Sequence, residues 1–363
     1  MSGPCSRQPV ARPFRVIDTG IRDGREQIAF DQALVELHQA GEIPDTIRFL
    51  RFPPTALIGR HQALSQELKL DYCAANNIRT VRRITGGGPL YFDEGQLGWE
   101  LVFHRSTLGT SNLGELSARI CEAIASGLRT LGVEARYRAP TDIEVEGRKI
   151  SGTGGFFDGD TAIYQGTVLI DMDPADMIAT LNVPSPEIAR SLIDSAAQRV
   201  VTLKQLLRDV PDIEAVKRAV IDGFAEVLEI EPEAGEITER EEELARQHFH
   251  EEIGTDEFVA EIDKPAADAS VLSARHQGEG GSVTAYVRLE GPQQERFREV
   301  LITGDFFVAP PRTIFDLEAA LRGTFVKDLS GTVSAFFEKA EIGLMTLMPE
   351  DFATAVASAV AAK

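Results

Sequence analysis

The stretch Arg82-Arg83-Ile84-Thr85-Gly86-Gly87-Gly88-Pro89-Leu90-Tyr91-Phe92-Asp93 decides how the rest of the chain is read. A short apolar run, Ile78 to Val81, precedes it and reads as a strand. After it, Gln96 to His104 sets Leu97, Trp99, Leu101 and Phe103 at alternate positions, the period of a strand packed on one face. Two arginines and three glycines therefore fall in a turn between two strands. Glycine lets a backbone approach a ligand with its N–H groups exposed, and such groups form anion-binding concavities. Guanidiniums add bidentate recognition of carboxylate or phosphate. The stretch is thus expected to hold an anion attached to something larger. Taken alone, it also fits an ordinary Gly-rich hairpin with two surface arginines, because glycine clusters are common turn signals.

Composition bounds the alternatives. A chain of 363 residues suits roughly two or three domains. The formal net charge of −20 argues against nucleic acid as a partner, which calls for a basic footprint. No apolar run reaches the ~18 residues of a membrane span, so no membrane association is expected. Met1 to Arg12 is polar and lacks the apolar core of a signal peptide. Three widely spaced cysteines fit a reducing cytoplasm better than a disulfide framework. Six scattered histidines and no Cys-x-x-Cys give no metal site. Neither a Gly-x-Ser-x-Gly elbow nor a Walker-type loop is present.

Outward from the glycine-rich stretch, the expected elements are as follows. Toward the N-terminus lie a helix over Arg25 to Gln39, a strand over Thr46 to Phe52, a short strand over Thr55 to Ile58 and a helix over Glu67 to Asn76. Toward the C-terminus, Ser111 to Leu131 reads as an amphipathic helix stopped by Gly132. It carries Cys121 beside its apolar face, as a buried thiol. Pro140 to Gly155 reads as strand, Glu146-Gly147 turn and return strand, with Lys149 at the start of the return and a second glycine cluster at its end. Ala162 to Asp171 is another strand, interrupted by Gly166-Thr167, where glycine marks close approach. The segment after Asp173 reads as irregular, punctuated by Pro174, Pro184 and Pro186. Helices follow over Ile213 to Leu228 and Thr238 to Glu252, the latter opened by a capping-box pair, Thr238 and Glu241. Asp263 to Gln277 reads as a linker. A hairpin of Ser282 to Leu289 and Val300 to Ile302 follows, then a helix over Ile314 to Arg322. Val333 to Phe337 fits helix or strand, and a final helix begins at Pro349.

On residue types alone, no cysteine sits beside the glycine clusters, which leaves a cysteine acyl-enzyme poorly supported. A lysine on a strand is most often a solvated charge. In a glycine-flanked hairpin it is also suited, with oriented N–H groups, to bring a carboxylate up to a phosphate and hold the developing charge.

The stretch from Arg82 to Asp93 resembles the Arg-Arg-x-Ser/Thr-Gly-Gly-Gly-Ala-Val-x-His-Asp signature of lipoate–protein ligases. Gly147-Arg148-Lys149-Ile150-Ser151-Gly152 is similar to their second signature, Tyr164-Gln165-Gly166-Thr167-Val168-Leu169 to the third, His-His-Gly-Thr-Leu-Leu, and Ala56 to Gln62 to their Val-Ile-Gly-Arg-x-Gln strand. Gly280 to Phe307 with Ile314 to Gly323 resembles their accessory domain, so the likeness runs over roughly residues 25 to 345. It implies an α/β fold, with a mixed-sheet catalytic domain flanked by helices and a small α/β accessory domain. The expected division is a tail over 1–24, a catalytic domain over 25–262, a linker over 263–277 and an accessory domain over 278–363. It implies activation of lipoate or octanoate by ATP with Mg²⁺ to acyl-AMP, and transfer to a lysine of a lipoyl carrier domain or lipoate-binding protein. By position, Lys149 would be the catalytic lysine bridging acyl carbonyl and phosphate. Arg83, Thr85, Gly86, Gly87, Gly88, Pro89 and Leu90 would line the acyl-adenylate together with Ser151 and Gly152. Asp142 would face the adenylate through the metal, and Gly166, Thr167 and Val168 would border the adenine. Apolar residues near the first helix and on the Leu57 strand would hold the hydrocarbon tail. Phe92 and Gln165 stand where the family has His, Thr141 where it has Asn, and the tryptophan often found near Arg51 is missing. These departures mark a divergent member, one serving a dedicated carrier such as the lipoate-binding proteins of sulfur oxidation. The rival readings are an octanoyl- or lipoyl-transferase of the same superfamily, which uses a cysteine and generally lacks the accessory domain, and a non-catalytic protein that binds lipoate or docks a carrier. A biotin ligase is disfavoured by the absence of its Gly-Arg-Gly-Arg signature.

Overall fold

The computed structural model describes residues 12–110, 112–182, 199–265 and 268–362. Its first part contains β1 (Pro13–Ile21), β2 (Thr46–Arg51), β3 (Thr55–Ile58), β4 (Arg79–Arg82), β5 (Leu90–Phe92), β6 (Gln96–His104), β7 (Arg136–Arg138), β8 (Asp142–Val145), β9 (Arg148–Asp158), β10 (Thr161–Leu169) and β11 (Glu231–Ala234). Eight of these form one mixed sheet in the order β11-β1-β2-β6-β10-β9-β8-β7. β1 is parallel to both its neighbours, and the ladders from β2 to β7 are antiparallel. Expectation and structure part at β6. Its alternating Leu97, Trp99, Leu101 and Phe103 do share a face, but β6 lies mid-sheet and is buried on both sides.

Helices Leu113–Thr130 and Ile213–Leu228 cover the Trp99 face. They touch backbone to backbone. A side chain at Gly127 would run into the Ala219 carbonyl, and one at Gly223 into that of Ala123. Helix Gly24–Gln39 and helix Glu239–His248 cover the opposite face, around Phe30, Leu34 and Val102. Each fully buried Leu, Ile or Phe in these layers stabilises the fold by about 1.5–3 kcal/mol. The expected Thr238–Glu241 capping box is present, and the helix it opens ends in a π-helical turn, Phe249–Ile253.

Several expectations need correction. Part of the stretch read as an N-terminal tail is β1, an interior strand between β11 and β2. A register shift between Asp18 and Ile21 blurs its alternation in sequence. The helix expected over Glu67 to Asn76 is two short helices, Leu64–Glu67 and Leu70–Ala75. The chain leaves helical geometry where Leu68 bridges Leu181 and the Lys69 N–H donates to the Thr180 carbonyl. The second glycine cluster lies inside β9 rather than at its end. After Asp173 the chain is not irregular throughout: Pro174–Thr180 is a helix capped by the Asp173 side chain, with proline in its first turn. Pro184 and Pro186 lie outside the described residues.

A second sheet, β12 (Leu272–Gly278), β13 (Gly281–Glu290) and β14 (Arg296–Gly304), follows, with the short pair β15 (Val308–Ala309) and β16 (Leu344–Met345). β12 occupies part of the expected linker. It is an edge strand of half-exposed residues, which gave the sequence no apolar run to show. Helices Arg312–Leu321, Leu329–Phe337 and Pro349–Ala361 close a separate core with this sheet, and the ambiguous run at Val333 is helical. The unit seats on the first part through its β14 end. The Gly304 N–H donates to the His61 carbonyl (3.0 Å), His61 stacks on Phe306 (5.3 Å), and Tyr286 donates to Gln66 (2.9 Å). No helix among the described residues is long and apolar enough to cross a membrane.

Candidate active site

β4, β3 and β5 form a small separate sheet with β3 in the middle. The loop from Arg83 to Pro89 is therefore no hairpin turn. It joins the two outer strands by arching over the end of β3, so closely that a side chain at Gly59 would strike the Gly87 carbonyl. Gly87 itself has φ +93°, which favours glycine.

Nor are the two arginines surface groups. Arg82 is fully buried, and its guanidinium donates to the carbonyls of Gln62 (2.7 Å), Val259 and Ile262 (both 2.8 Å) and others nearby. Arg83 turns its Nη2 onto the Gly86 and Gly88 carbonyls (both 2.9 Å) and its Nε toward the Thr85 hydroxyl. Burial lowers both guanidiniums to about 10. Their donors are spent on the protein: Arg83 holds the loop's shape, and Arg82 ties the end of β4 to the carbonyls of Gln62, Val259 and Ile262.

Beneath the loop is a cavity of about 410 Å³, in the size range of small-molecule sites. One wall is apolar: Ile28, Leu50, Phe52, Leu57 and Phe92 line it, with the Phe52 and Phe92 rings 4.8 Å apart. Of the site residues expected from sequence, Arg83, Thr85, Gly86, Gly87, Gly88, Leu90, Lys149, Gly152, Gly166 and Thr167 line this cavity. Pro89, Asp142, Ser151 and Val168 do not. Val168 packs into the Trp99 core, and Ser151 is buried with no partner for its hydroxyl. Asp142 acts at one remove, its Oδ1 lying 2.7 Å from Lys149 Nζ. That ammonium lies across Gly152, where a methyl group would come within 2.6 Å of both Cε and Nζ.

Tertiary structure adds groups that the sequence reading does not assign to the site. Asp31, Gln165, Asp305 and Phe307 line the cavity. Phe307 lies against Gly87 and Gly154, and the Gly87 N–H donates to the Phe306 carbonyl (3.3 Å), so the C-terminal unit contributes directly to the chamber. Asp31 belongs to a buried polar cluster. Arg48 pairs with Asp31 (2.7 Å) and Glu100 (3.2 Å), and Gln165 donates to both carboxylates (2.8 and 3.0 Å). Burial, and then the nearness of Asp31, push Glu100 up to about 8 against the pull of Arg48. A proton on Glu100 spares the buried cluster the repulsion of two adjacent bare carboxylates. A charged residue in the middle of each apolar strand, Arg48 in β2 and Glu100 in β6, was the available sequence signal.

One further correction concerns cysteine. Cys121 does sit beside the second glycine cluster, its Sγ 3.3 Å from Thr153 Oγ1. It is fully buried behind β9 and does not line the cavity. Burial pushes its thiol up, away from the reactive thiolate.

An apolar chamber roofed by a glycine-rich loop, with a lysine–aspartate pair at its wall, suits an amphipathic carboxylate and its phosphorylated derivatives. The comparisons agree. Residues 23–225 match the family described as "Lipoyl protein ligase A/B catalytic domain", and the chain belongs to that family. It is 31% identical to "Lipoate-protein ligase A subunit 1" of Thermoplasma acidophilum over 64% of this chain and 91% of that one. It is 30% identical to "Octanoyltransferase LipM" of Halalkalibacterium halodurans over 68% and 98%. Among solved structures, a lipoate-protein ligase A bound with ATP superimposes with TM-score 0.61 at 28% identity, over 68% of this chain and 98% of that one. P. falciparum LipL1 in complex with lipoate superimposes with TM-score 0.73 over 97% of this chain and 100% of its own, at 15% identity. The two share the fold, C-terminal unit included.

Proposed function

We propose that this protein is an ATP-dependent lipoate–protein ligase. The observation that carries the reading is Lys149, held by Asp142 across Gly152 at the wall of an apolar cavity, with neither described cysteine placed to form an acyl-enzyme. The aliphatic chain of lipoate or octanoate lies along Ile28, Leu50, Leu57 and Phe92. Its carboxylate attacks the α-phosphorus of ATP, pyrophosphate leaves, and acyl-AMP remains under the glycine-rich loop. Lys149 neutralises charge gathering between the acyl oxygen and the phosphate, acting in the transition state where such a donor counts most. A lysine amine of a carrier domain then attacks the acyl carbonyl, an amide forms and AMP departs. The glycine-rich residues from Gly86 to Leu90, with Arg83 and Thr85, shape the acyl-phosphate end, and Gly166 and Thr167 border the base. Ser151 and Val168 support those strands from behind.

No group of three or more candidate ligands for a metal occurs among the described residues. Magnesium is commonly held by one or two carboxylates and the substrate's own phosphates. Asp142, the carboxylate beside Lys149, fits that mode, and the ion would supply charge neutralisation on the phosphates.

The test is lipoate- or octanoate-dependent exchange of labelled pyrophosphate into ATP, without any carrier. Exchange is expected. Folded protein that exchanges with neither acid overturns the ligase reading. The second reading, an octanoyltransferase, draws on the likeness to the Halalkalibacterium enzyme. It predicts acyl transfer between carriers without ATP.

A further inference from the structure

Asp142 opens β8 directly after the turn Pro140–Thr141, and that turn is gripped by its carbonyls. Pro140 O accepts from Ser117 Oγ (2.8 Å) and from the Tyr137 hydroxyl (3.0 Å). Thr141 O accepts from Thr153 N (3.0 Å) and Thr153 Oγ1 (2.8 Å). Ser117 and Thr153 come from different elements, helix Leu113–Thr130 and β9, and one group joins them. The Tyr164 hydroxyl on β10 lies 2.6 Å from Ser117 Oγ and 2.8 Å from Thr153 Oγ1.

The protons can be followed. Ser117 and Thr153 each give theirs to a turn carbonyl. The single Tyr164 proton is then shared between Ser117 Oγ and Thr153 Oγ1 as a three-centre hydrogen bond, and Cys121 S–H also faces Thr153. Burial pushes the Tyr164 phenol above its ordinary range, so it remains a donor. Ser117, Cys121 and Tyr164 are buried, and none lines the cavity. They touch no substrate, yet they stand directly behind the turn that sets Asp142.

We propose that Tyr164 is a positioning residue: by tying Ser117 to Thr153 it fixes the Pro140–Thr141 carbonyls, and with them the Asp142 carboxylate that holds Lys149. The inference rests on the ligase reading above. It assigns a role in that reaction to the Ser117 and Tyr164 hydroxyls, which lie outside the cavity.

The experiment compares full-length wild type, Tyr164→Phe, Asp142→Asn and the double variant in lipoate-dependent ATP–pyrophosphate exchange, with kcat and KM resolved and thermal midpoints recorded. A misplacement of about 1 Å can cost up to ~10²-fold. Tyr164→Phe is expected to lower kcat about tenfold and leave KM for ATP within about twofold. The double variant should be no slower than Asp142→Asn alone, because the two act on one lysine. An unchanged kcat in Tyr164→Phe, or losses that multiply in the double variant, overturns the positioning role in favour of a merely structural one. If Tyr164→Phe does not fold, Ser117→Ala carries the same cycle. A wild type that fails to exchange overturns the ligase reading and this proposal with it. A wild type that exchanges confines any failure to the positioning role.

Discussion

Replacing Gly152 by alanine tests the site with one methyl group. The added carbon would lie 2.6 Å from both Cε and Nζ of Lys149 and meets no backbone. The obstacle is the far end of a flexible side chain, so the lysine swings aside and the strand stays. Its ion pair with Asp142 is part-exposed, at 39% and 26%. Such a pair is worth about 0–1 kcal/mol to stability, so folding should shift by less than about 1 kcal/mol. Activity should respond quite differently. Displacing a transition-state donor by an ångström or more costs about 10²-fold, and removing one costs about 10²–10³-fold. Gly152→Ala should therefore lose about 10²-fold in acyl-dependent ATP–pyrophosphate exchange while its denaturant midpoint stays near wild type. Lys149→Ala should fall at least as far. Wild-type exchange in Gly152→Ala beside an inactive Lys149→Ala would refute the reasoning, because the lysine would then work without the position that Gly152 allows it.

Gly166→Ala gives the contrasting case. Its methyl would overlap the ring of the fully buried Trp99, so overpacking should cost about 1–3 kcal/mol, visible in urea unfolding. The Glu100 proton gives stability a pH signature. Its native pKa is raised to about 8 from an ordinary 4.5, so its contribution is complete below pH 4.5 and is lost as pH rises through 8. Glu100→Gln should flatten that decline in unfolding titrations between these limits, and an unaltered pH profile would remove Glu100 as its source. Cys121 is buried with its thiol pushed up, so iodoacetamide should leave exchange activity of the native protein intact. Rapid inactivation that tracks Cys121 alkylation would instead point to acyl-cysteine chemistry.

Local signals carried much of the architecture. Helix Ile213–Leu228 and the final helix Pro349–Ala361 were legible because apolar spacing, caps and a first-turn proline coincide in a few residues. The Glu146-Gly147 turn was legible because both positions require positive φ, which glycine and a few other residues accept. β1, β11 and β12 were not, because an interior bulge, a four-residue strand and a half-exposed edge strand each lack a clean period.

Glycines showed where backbones approach one another, and the motifs around Gly86, Lys149 and Gly166 showed which loops belong together. That much is written in neighbouring residues. Tertiary structure alone decided what each arginine does, since only folding brings the carbonyls of residues 258–262 onto Arg82. It decided that Asp31, Arg48, Glu100 and Gln165 share one buried cluster, that Phe307 reaches the cavity from the far end of the chain, and that Cys121 lies beside Thr153. The reason is common to all of these. The chemistry of a buried charge, thiol or hydroxyl is set by the partners around it, and here those partners lie tens to hundreds of positions away along the chain.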